Sequence, residues 1–191
     1  MRIRSCFPMI LFILVGLMAA ACAPKNKIPL EYQVVSAPGS SCTQPVSVIA
    51  FGDDRNTEVI GEHGQDILLF PGQSVPQWVS WALFDELENA GCGVRFHDRA
   101  ETAVSDFAIT GTVNKLYVSR TDSRFEYQAQ MSLTMILKHQ GRELMTKQYM
   151  GSVSKVGTPT TETYRDILEE TLREILQQAI PDMIAAMRTR G

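Results

Sequence analysis

The sequence predicts an α+β fold: a two-layer sandwich in which two helices cover one face of a mixed, mostly antiparallel sheet of about five strands. Three observations support this class. A strand, a helix and a second strand follow one another in the first half of the chain, three long alternating stretches fill the second half, and an amphipathic helix ends it. This order brings both helices to one side of a single sheet.

An apolar leader opens the chain. Arg2 and Arg4 supply the positive start of a signal peptide, and the 15 residues Phe7–Ala21 are mostly apolar and end in small side chains. A membrane-spanning helix needs about 20 apolar residues, so this stretch is too short to span a bilayer. The sequence therefore predicts a signal peptide over residues 1–21. An ordinary secretory signal cut after Ala19 or after Ala21 is the alternative.

Cys22 follows the small residues directly, in the run Leu17–Cys22. This run resembles the processing site of bacterial lipoproteins, in which the cysteine becomes the lipidated first residue, although Ala19 stands where such signals usually carry leucine. The resemblance implies several acyl chains on Cys22, palmitate among them, and one chain alone would anchor only marginally. Ala23, in the position where an aspartate retains such proteins at the inner membrane, implies the outer membrane.

Size and charge limit the remaining possibilities. Without the leader, 170 of the 191 residues remain, which is enough for one domain with a buried core. The net charge of −3 becomes −5 when the two leader arginines are removed. No run of lysine or arginine occurs, so the clustered basic face that nucleic acid requires is absent from the sequence. We expect no nucleic-acid partner.

A tether is predicted between the anchor and the domain. Residues 23–41 hold three prolines and show no apolar periodicity. We therefore divide the chain into a signal peptide, a lipid anchor with a flexible tether over residues 22–41, and a single periplasmic α+β domain over residues 42–191.

The first half of this domain reads as strand, helix and strand. Val46–Phe51 is β-branched and alternating, and a loop with several glycines follows over residues 52–73. Ser74 is a suitable N-cap, with Gln77 three residues further on. The helix that follows is expected to end at Gly91. Its apolar positions are spaced three and four apart: Val75, Val79, Ala82, Leu83, Leu87 and Ala90.

The second predicted strand, Gly93–Phe96, brings two cysteines together. Cys42 precedes the first strand and Cys92 precedes the second. Strands joined through a helix are usually parallel, which places both cysteines at the same end of the sheet. The envelope permits disulfides, so we expect a Cys42–Cys92 bridge, with two buried free thiols as the alternative.

Long alternating stretches at Phe107–Ser119, Arg124–His139 and Glu143–Val153 predict an antiparallel meander with one buried and one wet face. They exceed the usual strand length of about five or six residues, so the sheet should curl. Thr158–Glu162 then opens a final amphipathic helix. Pro181 is expected to kink this helix or to start a new segment.

Several of these motifs resemble the YajG-type family of bacterial envelope lipoproteins. More distantly, they are similar to the amino-terminal domain of TolB and to auxiliary lipoproteins of envelope ABC transporters. The resemblance rests on five short stretches: Ala21–Cys22, Val48–Arg55, Ile60–Gly61, Leu87–Gly91 and Phe107–Val113. It implies a non-enzymatic outer-membrane protein that faces the periplasm, and it supplies no catalytic residues.

The loop motif Asp53, Asp54 and Arg55 is the best candidate for chemistry. Paired carboxylates can bind a cation or act as acid and base. With no third ligand nearby in sequence, we expect instead a loop closed by an ion pair between Arg55 and Asp53 or Glu58.

Other catalytic patterns are missing from the sequence. His63, His97 and His139 are scattered without metal-site spacing. No Gly-x-Ser-x-Gly elbow or phosphate-binding glycine loop occurs. We expect no metal, no cofactor and no enzymatic activity.

Trp78, Trp81 and Phe84 widen the apolar arc of the first helix and are candidate partner-binding residues. The alternative is that they pack beneath the 52–73 loop. Met131 and Met135 are expected in the core, although they could also line an apolar cavity between the last helix and the sheet.

These features favour a lipid-anchored binding or assembly module that acts through protein contacts in a cell-envelope complex. The alternative is an auxiliary or carrier subunit of an envelope lipid or ABC transport system that uses an apolar groove, and an envelope enzyme comes third. The membrane and an envelope protein are the expected partners, and the sequence predicts no oligomeric state.

The anchor is directly testable. Because the acyl chains attach only to Cys22, Cys22→Ala should move the protein from the membrane fraction into the soluble envelope fraction. Cell fractionation and immunoblotting measure this. Unchanged membrane association of the variant would contradict lipidation at Cys22.

Overall fold

A computed structural model describes residues 26–34, 42–63, 67–99, 105–121, 123 and 125–189. Cys22 and the leader lie outside these ranges. The strands are β1 Lys27–Ile28, β2 Pro45–Ile49, β3 Gly52–Asp53, β4 Gly61–His63, β5 Ile67–Pro71, β6 Gly93–His97, β7 Phe107–Arg120, β8 Glu126–His139 and β9 Arg142–Val156. The helices are α1 Val75–Asn89 and α2 Thr161–Arg188. The α+β class with two helices is confirmed, and the sheet is open and mixed.

β7 lies at the centre of the sheet, with neighbours on both edges. On one edge β8 pairs antiparallel along its whole length, from Phe107 opposite His139 to Arg120 opposite Tyr127. Three parallel strands share the other edge in succession: β2 at residues 107–109, β3 at 112–113 and β4 at 118. β6 extends the sheet beyond β2, β5 and β1 extend it beyond β4, and β9 extends it beyond β8.

The prediction of about five strands was too low, because four short strands carry no periodic signal. β3 has two residues, β4 has three, and β4 and β5 lie within the predicted 52–73 loop. Gly61 permits the contact of β4 with β7: a Cβ at this position would lie 2.6 Å from the carbonyl oxygen of Val118. β3 and β4 pair with the edge of β7, β5 pairs with β4, and β1 pairs with β5, so these strands depend on edges that a local pattern cannot reveal.

The predicted flexible tether is wrong for residues 26–34. Lys27–Ile28 forms β1, which pairs in parallel with Phe70–Pro71 of β5. Ile28 and Leu30 are buried, with exposed fractions of 1% and 2%. Two apolar side chains spaced two residues apart are enough to pack this stretch onto the domain, so the folded unit begins before residue 42.

α1 begins and ends as predicted. The Ser74 side chain caps it by accepting a hydrogen bond from the backbone N–H of Gln77 at 3.4 Å. Gly91 follows with a φ of +88°, the left-handed conformation that ends many helices and that favours glycine. The Ser80 hydroxyl ties the helix to the sheet because it accepts the Phe51 backbone N–H at 3.0 Å.

α2 packs closely on β9 and the rest of the meander. A Cβ at Gly151 would lie 2.9 Å from the Thr171 carbonyl oxygen, so glycine allows this approach. The Ser152 backbone N–H, on the outer edge of β9, donates to a Glu174 carboxylate oxygen at 3.0 Å. The helix continues through Pro181 rather than starting a new segment there. Its residues on both sides of the proline, Ile180 and Met183, are buried in the same core.

The meander alternates as predicted, and the layer between helices and sheet is closed. The inward-facing residues of β8 are buried in the core, among them Tyr127, Ala129, Leu133 and Leu137. Met131 and Met135 are also core residues, with exposed fractions of 2% and 0%. The apolar cavity that these methionines could have lined is therefore filled by packed side chains.

Cys42 and Cys92 form the predicted disulfide. β2 and β6 are parallel, with Pro45 opposite Gly93, so the two cysteines lie just before paired strands at the same end of the sheet. The Cys42 N–H also donates to the Ala90 carbonyl oxygen at 2.9 Å. The bridge thus fixes the start of β2 to the end of α1.

Replacing both cysteines, as Cys42→Ser with Cys92→Ser, should lower the free energy of unfolding by about 4 kcal/mol, because the bridge closes a long loop in the unfolded chain. The separation that sets this value is 50 residues. Urea unfolding of the variant, and of the unchanged protein with and without a reductant, measures it. If the double variant loses much less free energy of unfolding than the unchanged protein loses on reduction, the structural role of the bridge is contradicted.

Candidate functional site

An exposed aromatic cluster lies on α1 and the edge strand β6. The Trp81 ring stacks on Phe96, with ring centroids 4.4 Å apart and an interplanar angle of 9°. Phe84 meets the same indole edge-on at 5.4 Å. Trp81 remains 42% exposed. We call Trp81, Phe84 and Phe96 the aromatic surface.

Trp78, the third predicted partner-binding residue, does not belong to this surface. Its exposed fraction is 4%, and its indole N–H donates to the Glu31 carbonyl oxygen at 3.0 Å. The N-terminal segment, rather than the 52–73 loop, supplies this contact. The sequence missed it because that segment reads as a tether.

A cleft of about 400 Å³ separates the N-terminal segment from α1 and opens beside Trp81. It is lined by Leu30, Tyr32, Gln73, Ser74, Gln77, Trp78, Trp81, Ala82 and Asp85. The Tyr32 hydroxyl donates to Glu86 at 2.5 Å, which holds the segment against the helix. The cleft therefore has one wall made by the chain that leads from the anchor.

Acidic side chains border the cleft on α1. Burial raises the pKa of Asp85 above its ordinary value, and the nearby carboxylates of Glu88 and Glu86 raise it further. Burial also raises the pKa of Tyr32, with its hydrogen bond to Glu86 as the next cause. A cationic group placed here would relieve the repulsion between these carboxylates.

The loop motif forms the predicted ion pair. Arg55 donates from Nε and Nη2 to the two carboxylate oxygens of Asp53, at 2.8 and 2.7 Å. These bonds lower the pKa of Asp53 below its ordinary value, despite some desolvation. The Arg55 side chain is only 6% exposed, so the pair closes the loop at the start of α1 rather than offering a free carboxylate pair.

The residues considered for catalysis do not come together. Asp53 lies opposite Val113 of β7, whereas Gly61, two residues before His63, lies opposite Val118. Five residues of strand correspond to roughly 17 Å. His63 is engaged with the Tyr164 hydroxyl at 2.8 Å. His97 is at the end of β6, and the His139 ring stacks on Phe107 at the far end of β7.

Within the described part of the chain, no group of three or more His, Cys, Asp or Glu side chains could hold a metal ion. Neither α1 nor α2, the two helices of those same residues, combines the length and apolar character needed to cross a membrane.

The chain belongs to a family described as uncharacterized lipoproteins, whose family model matches residues 46–185. No curated protein matches significantly. Protein XCC0632 of the DUF330 family from Xanthomonas campestris has a similar fold, with a TM-score of 0.67 at 13% identity over 85% of this chain and 97% of that one. Hypothetical protein CT253 from Chlamydia trachomatis has a TM-score of 0.52 at 7% identity, over 78% of this chain and 100% of that one. A minor lipoprotein from Acinetobacter baumannii has a TM-score of 0.43 at 11% identity, over 76% of this chain and 94% of that one.

Family membership confirms the lipoprotein class that the Cys22 motif indicated, and it supports a location at the cell envelope. The two folds with the higher scores support the α+β architecture alone.

Asp53→Asn should lower the free energy of unfolding by roughly 1 kcal/mol at pH 7, a value reduced for the exposure of the carboxylate to solvent. Because its pKa is lowered by folding, Asp53 stabilises the protein above its unfolded pKa of about 3.9, and this contribution disappears as the pH falls through the folded pKa. The difference from the unchanged protein should therefore shrink at about pH 3.

Urea unfolding at both pH values measures this effect, with Asp54→Asn as the matched control. Among the described residues Asp54 forms no salt bridge, so its variant should change stability less at pH 7. Equal effects of the two variants, or an Asp53 effect that persists in acid, would contradict the pairing.

Proposed function

We propose that this chain is a lipid-anchored protein of the outer membrane that faces the periplasm and binds an envelope protein without catalysing a reaction. The observation that carries the proposal is the aromatic surface beside an acidic cleft, on a domain whose core is closed. The finer likeness to YajG-type lipoproteins, and palmitate among the acyl chains on Cys22, belong to the same proposal.

The anchor is supported by two independent observations. The run that ends at Cys22 resembles a lipoprotein processing site, and residues 46–185 match a lipoprotein family. Ala23 after the cysteine favours the outer membrane because it lacks the aspartate associated with retention at the inner membrane.

Protein binding is supported by the fixed position of the exposed Trp81 ring. Its ring is held in place by Phe96 and Phe84, so little conformational freedom remains to be lost when a partner covers it. Tryptophan is enriched among the residues that dominate binding energy at interfaces. The carboxylates of Asp85 and Glu88 on the same helix favour a partner segment that carries both an apolar and a basic side chain.

The carrier alternative is less well supported. It requires an apolar groove between the last helix and the sheet, lined by Met131 and Met135. Both methionines are fully packed, and α2 lies in contact with β9 at Gly151. A lipid would have to separate the helix from the sheet to enter.

Photo-crosslinking in intact cells tests the proposal. A benzoylphenylalanine in place of Gln77, which is exposed at the cleft, should form a discrete protein adduct, whereas one in place of Met150 on β9 should not form that adduct. With the partner identified, Trp81→Ser should weaken binding by roughly 2 kcal/mol, as expected for a tryptophan that dominates an interface.

Met150→Ser serves as the matched control because Met150 is also exposed, at 70%. Both variants should keep the unfolding midpoint within a few degrees, which shows that the domain is folded. Equal affinities of Trp81→Ser and Met150→Ser for the partner would exclude the aromatic surface as the binding site.

A further inference from the structure

Exposed apolar side chains are concentrated at one end of the sheet. Ile67 and Leu68 at the start of β5 are 43% and 45% exposed, Phe125 before β8 is 61% exposed, and Val156 at the end of β9 is 74% exposed. The other large exposed apolar side chains of the described residues, Val34, Trp81 and Met150, lie elsewhere.

Strand register places these four residues at the same end. Arg120, the last residue of β7, lies opposite Tyr127, and Glu126 lies opposite Val156. On the other edge, β4 runs parallel to β7 from Gly61 opposite Val118. β4 therefore ends near the level of Arg120. His63 at the end of β4 is opposite Ile67, so β5 starts at this level too.

The described N-terminal segment begins towards this same end. β1 is parallel to β5, with Lys27 opposite Phe70, and the Phe70 N–H donates to the Asn26 carbonyl oxygen at 2.9 Å. Because β5 runs from Ile67 towards Pro71 and β1 is parallel to it, β1 begins on the side of this pair that is nearer to Ile67. The start of the described chain at Asn26 thus lies towards the same end of the domain as the exposed apolar side chains.

The distance from the lipidated cysteine is short. Cys22 precedes Asn26 by four residues, which span at most about 14 Å when fully extended. From β1, which follows Asn26, to β9 there are five steps between neighbouring strands, or about 24 Å across the sheet. The acyl chains are therefore held close to the β1 and β5 side of this end, and the bilayer that they enter extends below the other strands.

We infer that this end rests on the bilayer, with Ile67, Leu68, Phe125 and Val156 in contact with the lipid surface. We call these four residues the membrane-facing end. The inference deepens the proposed function and rests on its lipid anchor at Cys22. A partner protein at this end would have to fit into the short space between the domain and the membrane. The bilayer, in contrast, is held there by the anchor itself.

Apolar contact rather than charge makes this attachment. Among the described residues at this end, the positive charges of Arg120 and Lys155 are balanced by Glu62 and Glu126, and Lys155 also pairs with Glu170 of α2 at 2.9 Å. Side chains of this kind enter the boundary between head groups and acyl chains to a depth of about 5–10 Å. Contact with the membrane is therefore expected to persist at high salt.

Photo-crosslinking of the lipidated full-length protein, in vesicles of phosphatidylethanolamine and phosphatidylglycerol, tests the inference. Benzoylphenylalanine replaces Leu68 or Phe125 in turn, and Met150 serves as the control position. Mass spectrometry first establishes the lipid on Cys22 and then measures phospholipid adducts.

Met150 is six residues from Val156 along β9, about 20 Å from the membrane-facing end and beyond the depth that apolar side chains reach. Adducts at positions 68 and 125 should exceed those at position 150 by roughly ten-fold, with and without high salt. Equal yields at the three positions on a protein that carries the lipid would overturn the inference while leaving the anchor in place. Protein adducts in place of lipid adducts at positions 68 and 125 in intact cells would overturn it as well. A Cys22 without lipid would instead contradict the proposed function.

Discussion

The pairing of β7 on both of its edges determines where the other elements lie. β8 occupies one edge along its whole length, and β2, β3 and β4 divide the other edge between them. Gly111 makes part of this arrangement possible, since a Cβ there would lie 2.2 Å from the Thr134 carbonyl oxygen and 2.8 Å from a Phe51 ring carbon. The glycine lets Phe51 pack against β7 at the point where the chain passes from β2 to β3.

The same strand separates the two surfaces to which we assign proposed roles. The membrane-facing end lies beside Arg120, where β7 ends. Phe96 of the aromatic surface pairs with Val48, which in turn lies opposite Ile109 near the start of β7. The 11 residues from Ile109 to Arg120 correspond to about 36 Å along the strand. With the proposed anchor at one end and the aromatic surface towards the other, the domain would act as a spacer that presents the proposed binding site at a set height above the bilayer.

Elements with a strong local signal in the sequence were predicted, and elements without one were not. Alternation over long stretches predicted β7, β8 and β9, and caps at Ser74 and Gly91 predicted the limits of α1, because these signals act between near neighbours in the chain. The Cys42–Cys92 bridge was predictable from the usual parallel arrangement of strands joined by a helix. β1, β3, β4 and β5 were not, since strands this short are specified by the edge on which they pair.

The candidate site was predicted in part for the same reason. The spacing of α1 indicated that Trp81 and Phe84 extend beyond the buried stripe, and the Asp53–Arg55 pair follows from charges two residues apart. The burial of Trp78 was not predicted, because the segment around Glu31 that covers it is distant in sequence. The stacking of Phe96 on Trp81 was not predicted. The alternation of side chains along β6 does indicate the face of the sheet on which Phe96 lies.

The height of the aromatic surface above the membrane is the central claim, and the protein's own fluorescence measures it. Its two tryptophans, Trp78 and Trp81, both lie on α1. Energy transfer from them to dansyl-labelled phospholipids should be weak for the lipidated protein in vesicles, because α1 stands away from the lipid. The variant Phe125→Trp, with a tryptophan at the membrane-facing end, should transfer strongly. Strong transfer from the native tryptophans, or no gain in the variant, would contradict an upright domain.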